Sequence, residues 1–195
     1  MLRENATGFF HIGKTNGIWW IVDPSGNVFI CKGVNHVNYE GDHAPNLGYS
    51  PYNKTVSKKY GSSEYWSKVA VERIHSFGFN TIGAWSSDDA FAKGMPYTVI
   101  LDIASTAGSE WQSGKVIDFF SSRFENIAHA IAERLCLPRK DDPYLLGYFT
   151  DNELRWSPDW RSTKHLLDDY LSLPPESEGK RALVGYPVDA NIEFF

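Results

Sequence analysis

Between residues 63 and 156, short apolar runs alternate with amphipathic helical stretches, and this alternation constrains the fold most. Residues 63–77 put Trp66, Val69, Ala70, Ile74 and Phe77 on one helical face, with Ser62 or Ser63 as cap and Gly78 as the stop. Residues 79–85 follow as a short strand, and residues 97–103 form another, apolar enough for a doubly covered sheet. Ile117, Phe120, Phe124, Ile127, Ile131 and Leu135 recur at steps of three and four, which predicts a helix over 115–135 ended by Pro138. Residues 144–150 are a strand that runs straight into Asp151-Asn152-Glu153. A further helix is predicted near 160–172, broken by the Pro-rich stretch 173–179. Strand, helix, strand with right-handed crossovers makes a parallel sheet with helices outside it.

A β-hairpin precedes this pattern. Two β-prone runs, 18–22 and 28–31, flank the turn Asp23-Pro24-Ser25-Gly26-Asn27. The second run continues to residue 37 and ends in polar residues. Residues 38–61 read as a long loop, and residues 181–195 as an irregular tail without a clear period. A full eight-stranded α/β barrel takes about 250 residues, whereas this chain has 195 and supplies four strand units. The expected fold class is therefore α/β: a (β/α)8-type TIM barrel truncated to about its first half. The expected organisation is a single domain over 1–195, with the hairpin at 8–31, the partial barrel at 32–180 and the tail at 181–195.

Composition removes several function classes. The chain carries 19 Lys+Arg against 24 Asp+Glu, a net charge of −5, and no basic cluster longer than two residues. A nucleic-acid partner is not expected. No apolar run approaches the roughly 18 residues of a membrane span, so no membrane partner is expected either. The first five residues contain no apolar core of an export signal, which reads as cytoplasmic as the chain stands. Cys31 and Cys136 read as two buried thiols. No Cys-x-x-Cys or His-x-x-x-His spacing points to zinc, and neither a metal nor a cofactor is expected. Seven Trp, ten Tyr and twelve Phe exceed what a small core needs, which suits sugar-stacking platforms or an interface.

In parallel α/β folds, the residues at the carboxyl ends of strands build the site. Here those are Asn35 and His36, then Trp85 and Ser86, then Asp102, then Asp151, Asn152 and Glu153. Apart from Trp85 they are polar, as recognition of a polyhydroxylated ligand requires. Glu153, near Tyr148 and Trp156 in sequence, suits a partly desolvated general acid, and Asn152 a donor to a sugar hydroxyl. The competing reading is that Asp151 or Glu153 caps the next helix or pairs with Arg155. His36 is either a site residue or a satisfied, partly buried histidine. Trp156 and Trp160 are either sugar platforms or packing residues.

Three segments carry a resemblance: Gly33-Val34-Asn35-His36-Val37, residues 78–86 (GFNTIGAWS) and residues 146–156 (LGYFTDNELRW). Together they resemble the N-terminal half of clan A glycoside hydrolases, and look most like the β-agarase-like TIM-barrel enzymes. The resemblance covers roughly residues 17–180. It implies a retaining glycosidase frame in which Glu153 is the acid/base and Asn152 contacts the hydroxyl beside the reacting carbon. It also implies that Asn35, His36 and Trp85 line sugar subsites, that the ligand is a polysaccharide or oligosaccharide, and that the protein works outside the cytoplasm.

The nucleophile of that clan is a Glu on strand seven, and this chain ends before a fifth strand is recognisable. Half a barrel exposes two sheet edges and an uncovered inner face. A homo-oligomer, most simply a two-fold dimer, is therefore expected, with two copies of Glu153 near one cavity. The alternative is a non-catalytic carbohydrate-binding or assembly fragment. No Gly-x-Ser-x-Gly elbow is present, which disfavours a serine esterase.

Overall fold

The computed structural model describes residues 4–185. The chain divides into two compact units: one runs to Ile100 and takes in Arg139–Phe149, and the other holds Leu101–Pro138 and resumes at Thr150.

The first unit contains both sheets. β1 (His11–Thr15), β2 (Ile18–Val22) and β3 (Val28–Phe29) form an antiparallel sheet in that order. The β1–β2 turn is Asn16-Gly17, with φ of 54° and 79°. Two successive left-handed residues match the twist of a tight hairpin, and Asn-Gly is the pair that adopts them at least cost. In the next turn, Asp23 Oδ1 accepts the N–H groups of Ser25 and Asn27, each at 2.9 Å. The predicted 18–31 hairpin is thus present, and β1 is a further strand paired on its outer side.

β4 (Gly33–Val34), β5 (Thr81–Ile82), β6 (Tyr97–Ile100) and β7 (Leu145–Phe149) form a parallel sheet in chain order. Thr81 and Ile82 are buried on the central strand, at 1% and 0% exposure. Trp66 and Val71 of α2 (Ser63–Ser76), Phe91 of α3 (Asp88–Phe91) and Tyr97 of β6 are buried as well, with Phe91 stacked on Tyr97 at 4.6 Å. The sheet is open, and no closed barrel is seen among the described residues.

Several boundaries differ from the sequence reading. The strands are shorter, because carboxyl-end residues turn left-handed instead of extending the ladder. The run 28–37 divides between β3 and β4, in separate sheets. The stretch 38–61 is not all loop: α1 (Pro51–Tyr60) starts on Ser50, whose hydroxyl accepts the N–H of Asn53 at 3.2 Å. Proline at its first position, Lys58 and Lys59 in its last turn and Gly61 at φ 79° complete a normal helix.

The second unit is helical: α4 (Ile103–Ala107), α5 (Ser122–Ile131), α6 (Leu166–Leu171) and α7 (Glu178–Val184). The predicted strand 97–103 stops at Ile100, and Ile103 already begins α4. The predicted helix 115–135 starts late, since Ser121 caps it at Phe124 N and Asp118 binds the N–H groups of Phe120 and Gly179 in a turn. Beyond Ile131 it loosens into a π-helical turn over Ala132–Cys136. The expected irregular tail begins inside α7, and residues 186–195 lie outside the described residues. Cys31 is exposed instead of buried, with its thiol donating to Thr81 Oγ1 at 3.4 Å, and Cys136 is half-buried. Both depart from the apolar-run reading because β3 ends before Cys31 and α5 before Cys136.

Candidate functional site

Each parallel strand is followed, within four residues, by a non-glycine residue with left-handed backbone: His36 (φ 58°), Trp85 (φ 58°), Asp102 (φ 51°) and Glu153 (φ 47°). Asn16 in the hairpin turn is the fifth such residue among those described. Left-handed backbone costs an L-residue roughly 1–2 kcal/mol, and such strain gathers where function needs it.

In the first unit, main-chain bonds carry the β4–β5 pairing past its ladder. Gly83 N–H donates to Val34 O at 2.8 Å, His36 N–H to Ala84 O at 3.0 Å, and Ser87 N–H to Val37 O at 3.0 Å. Ser86 Oγ accepts the Val37 N–H at 3.0 Å. This holds the exposed His36 ring against the half-buried Trp85, stacked at 5.0 Å and 20°. Asn35 lies against the backbone of Gly83, where any Cβ would collide with its amide oxygen. Asn35, His36 and Trp85 are therefore gathered by one strand pair.

In the second unit, Glu153 is exposed and its Oε2 accepts the indole N–H of Trp111 at 2.7 Å. Arg161, with only 7% of its side chain exposed, donates from Nη1 to the carbonyl of Glu153 at 2.9 Å and to that of Trp111 at 3.3 Å. Its other nitrogens hold Asp159 Oδ2 at 2.6 and 2.9 Å. One guanidinium thus joins the two segments that present the carboxylate and its donor. Trp160 packs edge-on to Trp111 at 5.8 Å, and the two rings are 75% and 49% exposed. Trp111 and Arg161 were not singled out in the sequence. The signal was faint: Trp111 is an isolated Trp in a polar turn, and Arg161 falls in a stretch that reads as helix.

The alternative role for these acids is resolved residue by residue. Asp151, not Glu153, meets a helix start: its Oδ1 accepts the N–H groups of Ala104 and Ser105 at 2.8 and 3.3 Å. That helix is the preceding α4 and not the next one. Burial raises the Asp151 carboxyl above its usual range, the two N–H groups oppose this, and the charge of Asp102 adds to the rise. Asp102 is itself raised by burial. Arg155 does not pair with Glu153. Its guanidinium is buried and engages Asp169, the Lys164 carbonyl and the Gly114 carbonyl. Asn152 is exposed beside Glu153. Trp156 is 62% exposed and stacks on Phe119 at 6.2 Å and 25°. It lines an apolar cavity with Phe120, Leu167 and Tyr170, so it is both packed and accessible.

Among the described residues, no group of three or more His, Cys, Asp or Glu is arranged to hold a metal ion, and no helix is long and apolar enough to cross a membrane.

No protein-family model matches the chain. Two curated relatives come from Vibrio sp. (strain JT0107). Beta-agarase B is 24% identical over 219 residues, covering 79% of this chain and 23% of that protein. Beta-agarase A is 24% identical over 194 residues, covering 72% of this chain and 19% of that protein. The chain thus spans only about a fifth to a quarter of their length. Among solved structures, the agarase AgWH50C superposes with a TM-score of 0.73 at 21% identity, over 97% of this chain and 37% of that one. PfGH50B gives 0.74 at 19% identity, over 93% and 35%. An exo-beta-agarase gives 0.70 at 18% identity, over 93% and 36%. The chain has an α/β fold shared with part of these larger chains, and its sequence is similar to part of two β-agarases.

Proposed function

We propose that this chain is a glycoside-hydrolase-like protein that engages a polysaccharide or oligosaccharide, with Glu153 as the proton donor to the glycosidic oxygen. The observation that carries the reading is the setting of Glu153. It is a solvent-accessible carboxyl on a left-handed residue just past a parallel strand, oriented by the Trp111 indole and fixed through its main chain by Arg161. The exposed Trp111 and Trp160 rings offer apolar faces of the kind that pack against the C–H faces of sugars. The relatives named as β-agarases make a galactan such as agarose the first substrate to try.

In this reading a protonated Glu153 gives its proton to the leaving oxygen, and Asn152 donates to the hydroxyl beside the reacting carbon. Asn35, His36 and Trp85 contact sugar rings, and Trp156 is a platform. A retaining mechanism also needs a second carboxylate about 5–5.5 Å from the first. Asp151 is a poor choice for it, because its Oδ1 is held by two N–H groups. In the same proposal the open four-stranded sheet is the first half of a (β/α)8 barrel, and a two-fold dimer brings a second Glu153 to the same cavity.

A carbohydrate-binding role without turnover is the second reading, favoured by the exposed Trp111, Trp156 and Trp160 rings, which can pack against sugars without a second carboxylate. Reducing-sugar release from agarose, β-glucan, xylan and mannan, run beside affinity electrophoresis in the same gels, separates the two. Release by the wild type that Glu153→Gln abolishes supports the hydrolase. Retardation without release, kept in Glu153→Gln, supports binding alone. Neither release nor retardation overturns both.

A further inference from the structure

Two segments of the second unit converge on Glu153, one on its carboxyl and one on its main chain. Trp111, in the turn closed by the Glu110–Lys115 pair, donates its indole N–H to Oε2 at 2.7 Å. An indole N–H only donates. Oε2 is therefore the acceptor in this bond, and in a protonated carboxyl the carbonyl oxygen accepts better than the hydroxyl. Among the described residues no hydrogen bond reaches Oε1 of the exposed Glu153. The acidic proton thus belongs on Oε1.

Donor and acceptor are kept in register through their main chains. Arg161 Nη1 donates to the carbonyls of both Glu153 and Trp111, at 2.9 and 3.3 Å. Asp159 sets this guanidinium: its Oδ2 accepts Nε and Nη2 at 2.9 and 2.6 Å, and its Oδ1 accepts the main-chain N–H of Arg161 at 2.8 Å. Asp159 is itself closed into a turn by Ser162, whose carbonyl accepts its N–H at 3.0 Å. Gly114, with φ 66°, leaves the room the guanidinium arm needs: a Cβ there would stand 3.0 Å from the Cβ of Arg161.

We propose that Trp111 and Asp159 are positioning residues for proton delivery by Glu153. Trp111 places the proton on Oε1, and Asp159, through Arg161, keeps the pair in register. The proposal rests on the reading of Glu153 as the acid. In the step, the Oε1–H bond breaks and the proton goes to the glycosidic oxygen, which takes the electron pair of the breaking carbon–oxygen bond. Water supplies the hydroxyl that ends on the sugar carbon, and its proton returns to Glu153. As Glu153 becomes a carboxylate, the indole bond gains a charged acceptor and strengthens. It is then stronger in the transition state than in the ground state, which is what accelerates a step.

The test gives the full chain two substrates: agarose oligosaccharides, whose sugar leaving group needs the proton, and a dinitrophenyl glycoside of the same sugar, whose leaving group does not. Trp111→Phe keeps an aromatic face and removes the N–H. The expected result is a fall in kcat of about tenfold to a hundredfold on the oligosaccharides, the worth of one hydrogen bond to a charged group. KM changes by no more than about threefold, and the dinitrophenyl rate falls by no more than that. Asp159→Ala is expected to show the same pattern. Either variant losing both substrates equally, raising KM with kcat unchanged, or matching wild type on both overturns the proposal alone. Wild type that turns over neither substrate, or Glu153→Gln that cleaves the oligosaccharides as fast as wild type, overturns the Glu153 reading and the proposal with it. A second readout needs no turnover. Hydrogen exchange of the Trp111 indole in the wild type, followed by NMR, is expected to be at least about tenfold slower than that of the exposed Trp160. Equal exchange at the two indoles also overturns the proposal alone.

Discussion

Asp102 shows how single residues are held at a cost around the strand ends. Its backbone is left-handed, its side chain makes no capping bond to α4, and burial raises its carboxyl. A raised folded-state pKa means that the native chain holds the proton more tightly than the unfolded one. Stability is then lost as pH rises through the folded value, and the penalty vanishes below the ordinary value of 3.8. Asp102→Asn keeps a residue that tolerates this backbone and removes the charge. Urea midpoints are expected to rise relative to wild type at pH 7 and to show no such gain near pH 3.5. The gain includes relief of Asp151, whose carboxyl is raised in part by Asp102. Gly83 is the converse case. A methyl group there meets the Asn35 amide oxygen, so Gly83→Ala is expected to cost about 1–3 kcal/mol in denaturant unfolding. Affinity for any ligand that Asn35 contacts should fall with it.

At the scale of elements, the second unit depends on one buried guanidinium. Arg155 has 2% of its side chain exposed and joins Gly114, Lys164 and Asp169, three segments with no β-ladder between them. Arg155→Met leaves two carbonyls and a carboxylate without their donor. The expected loss is about 3–5 kcal/mol. Hydrogen exchange read by mass spectrometry should show α5 and α6 losing protection, with β5 and α2 much less affected. In the first unit α1 depends on a conventional cap. Ser50→Ala is expected to cost about 1 kcal/mol in thermal unfolding and to raise exchange in its first turn.

For the molecule as a whole, the question is what covers an open parallel sheet. β4 and β7 are its outer strands, and Phe149 of β7 is 53% exposed. Parallel sheets are normally covered on both faces, and exposed edges invite pairing. The proposed dimer predicts a sedimentation mass of twice 22.1 kDa at micromolar concentration. A monodisperse species at 22.1 kDa across that range refutes the dimer while leaving the assignment of Glu153 standing.

Much of this architecture was legible in the chain because it is local. Trp66, Val69, Ala70 and Ile74 recur at helical spacing after Ser62, and the helix runs from Ser63 to Ser76, but Val71 is the aliphatic residue it buries and Phe77, expected on the same face, is 71% exposed. The β-prone runs around residues 18–22, 79–85, 97–103 and 144–150 each contain a strand, since burial of apolar side chains and backbone pairing favour the same residues. Local signals were also present where the reading missed them: Asn16-Gly17 marks the β1–β2 turn, and Ser50-Pro51 marks the start of α1. Other features were not in any local pattern. The ends of the strands are decided by left-handed residues whose strain only tertiary contacts can hold. The partners of Glu153 and Arg155 lie 42 and 41 residues away, at Trp111 and Gly114, where no periodicity reaches. Sequence by itself determined the alternation of strands and helices and put Glu153 at a strand end, because those follow from spacing along one chain. Only the tertiary structure decided that Asp151 caps α4, that Arg155 serves Asp169, and that Trp111 and Arg161 hold Glu153, because hydrogen bonding and desolvation depend on which segments meet.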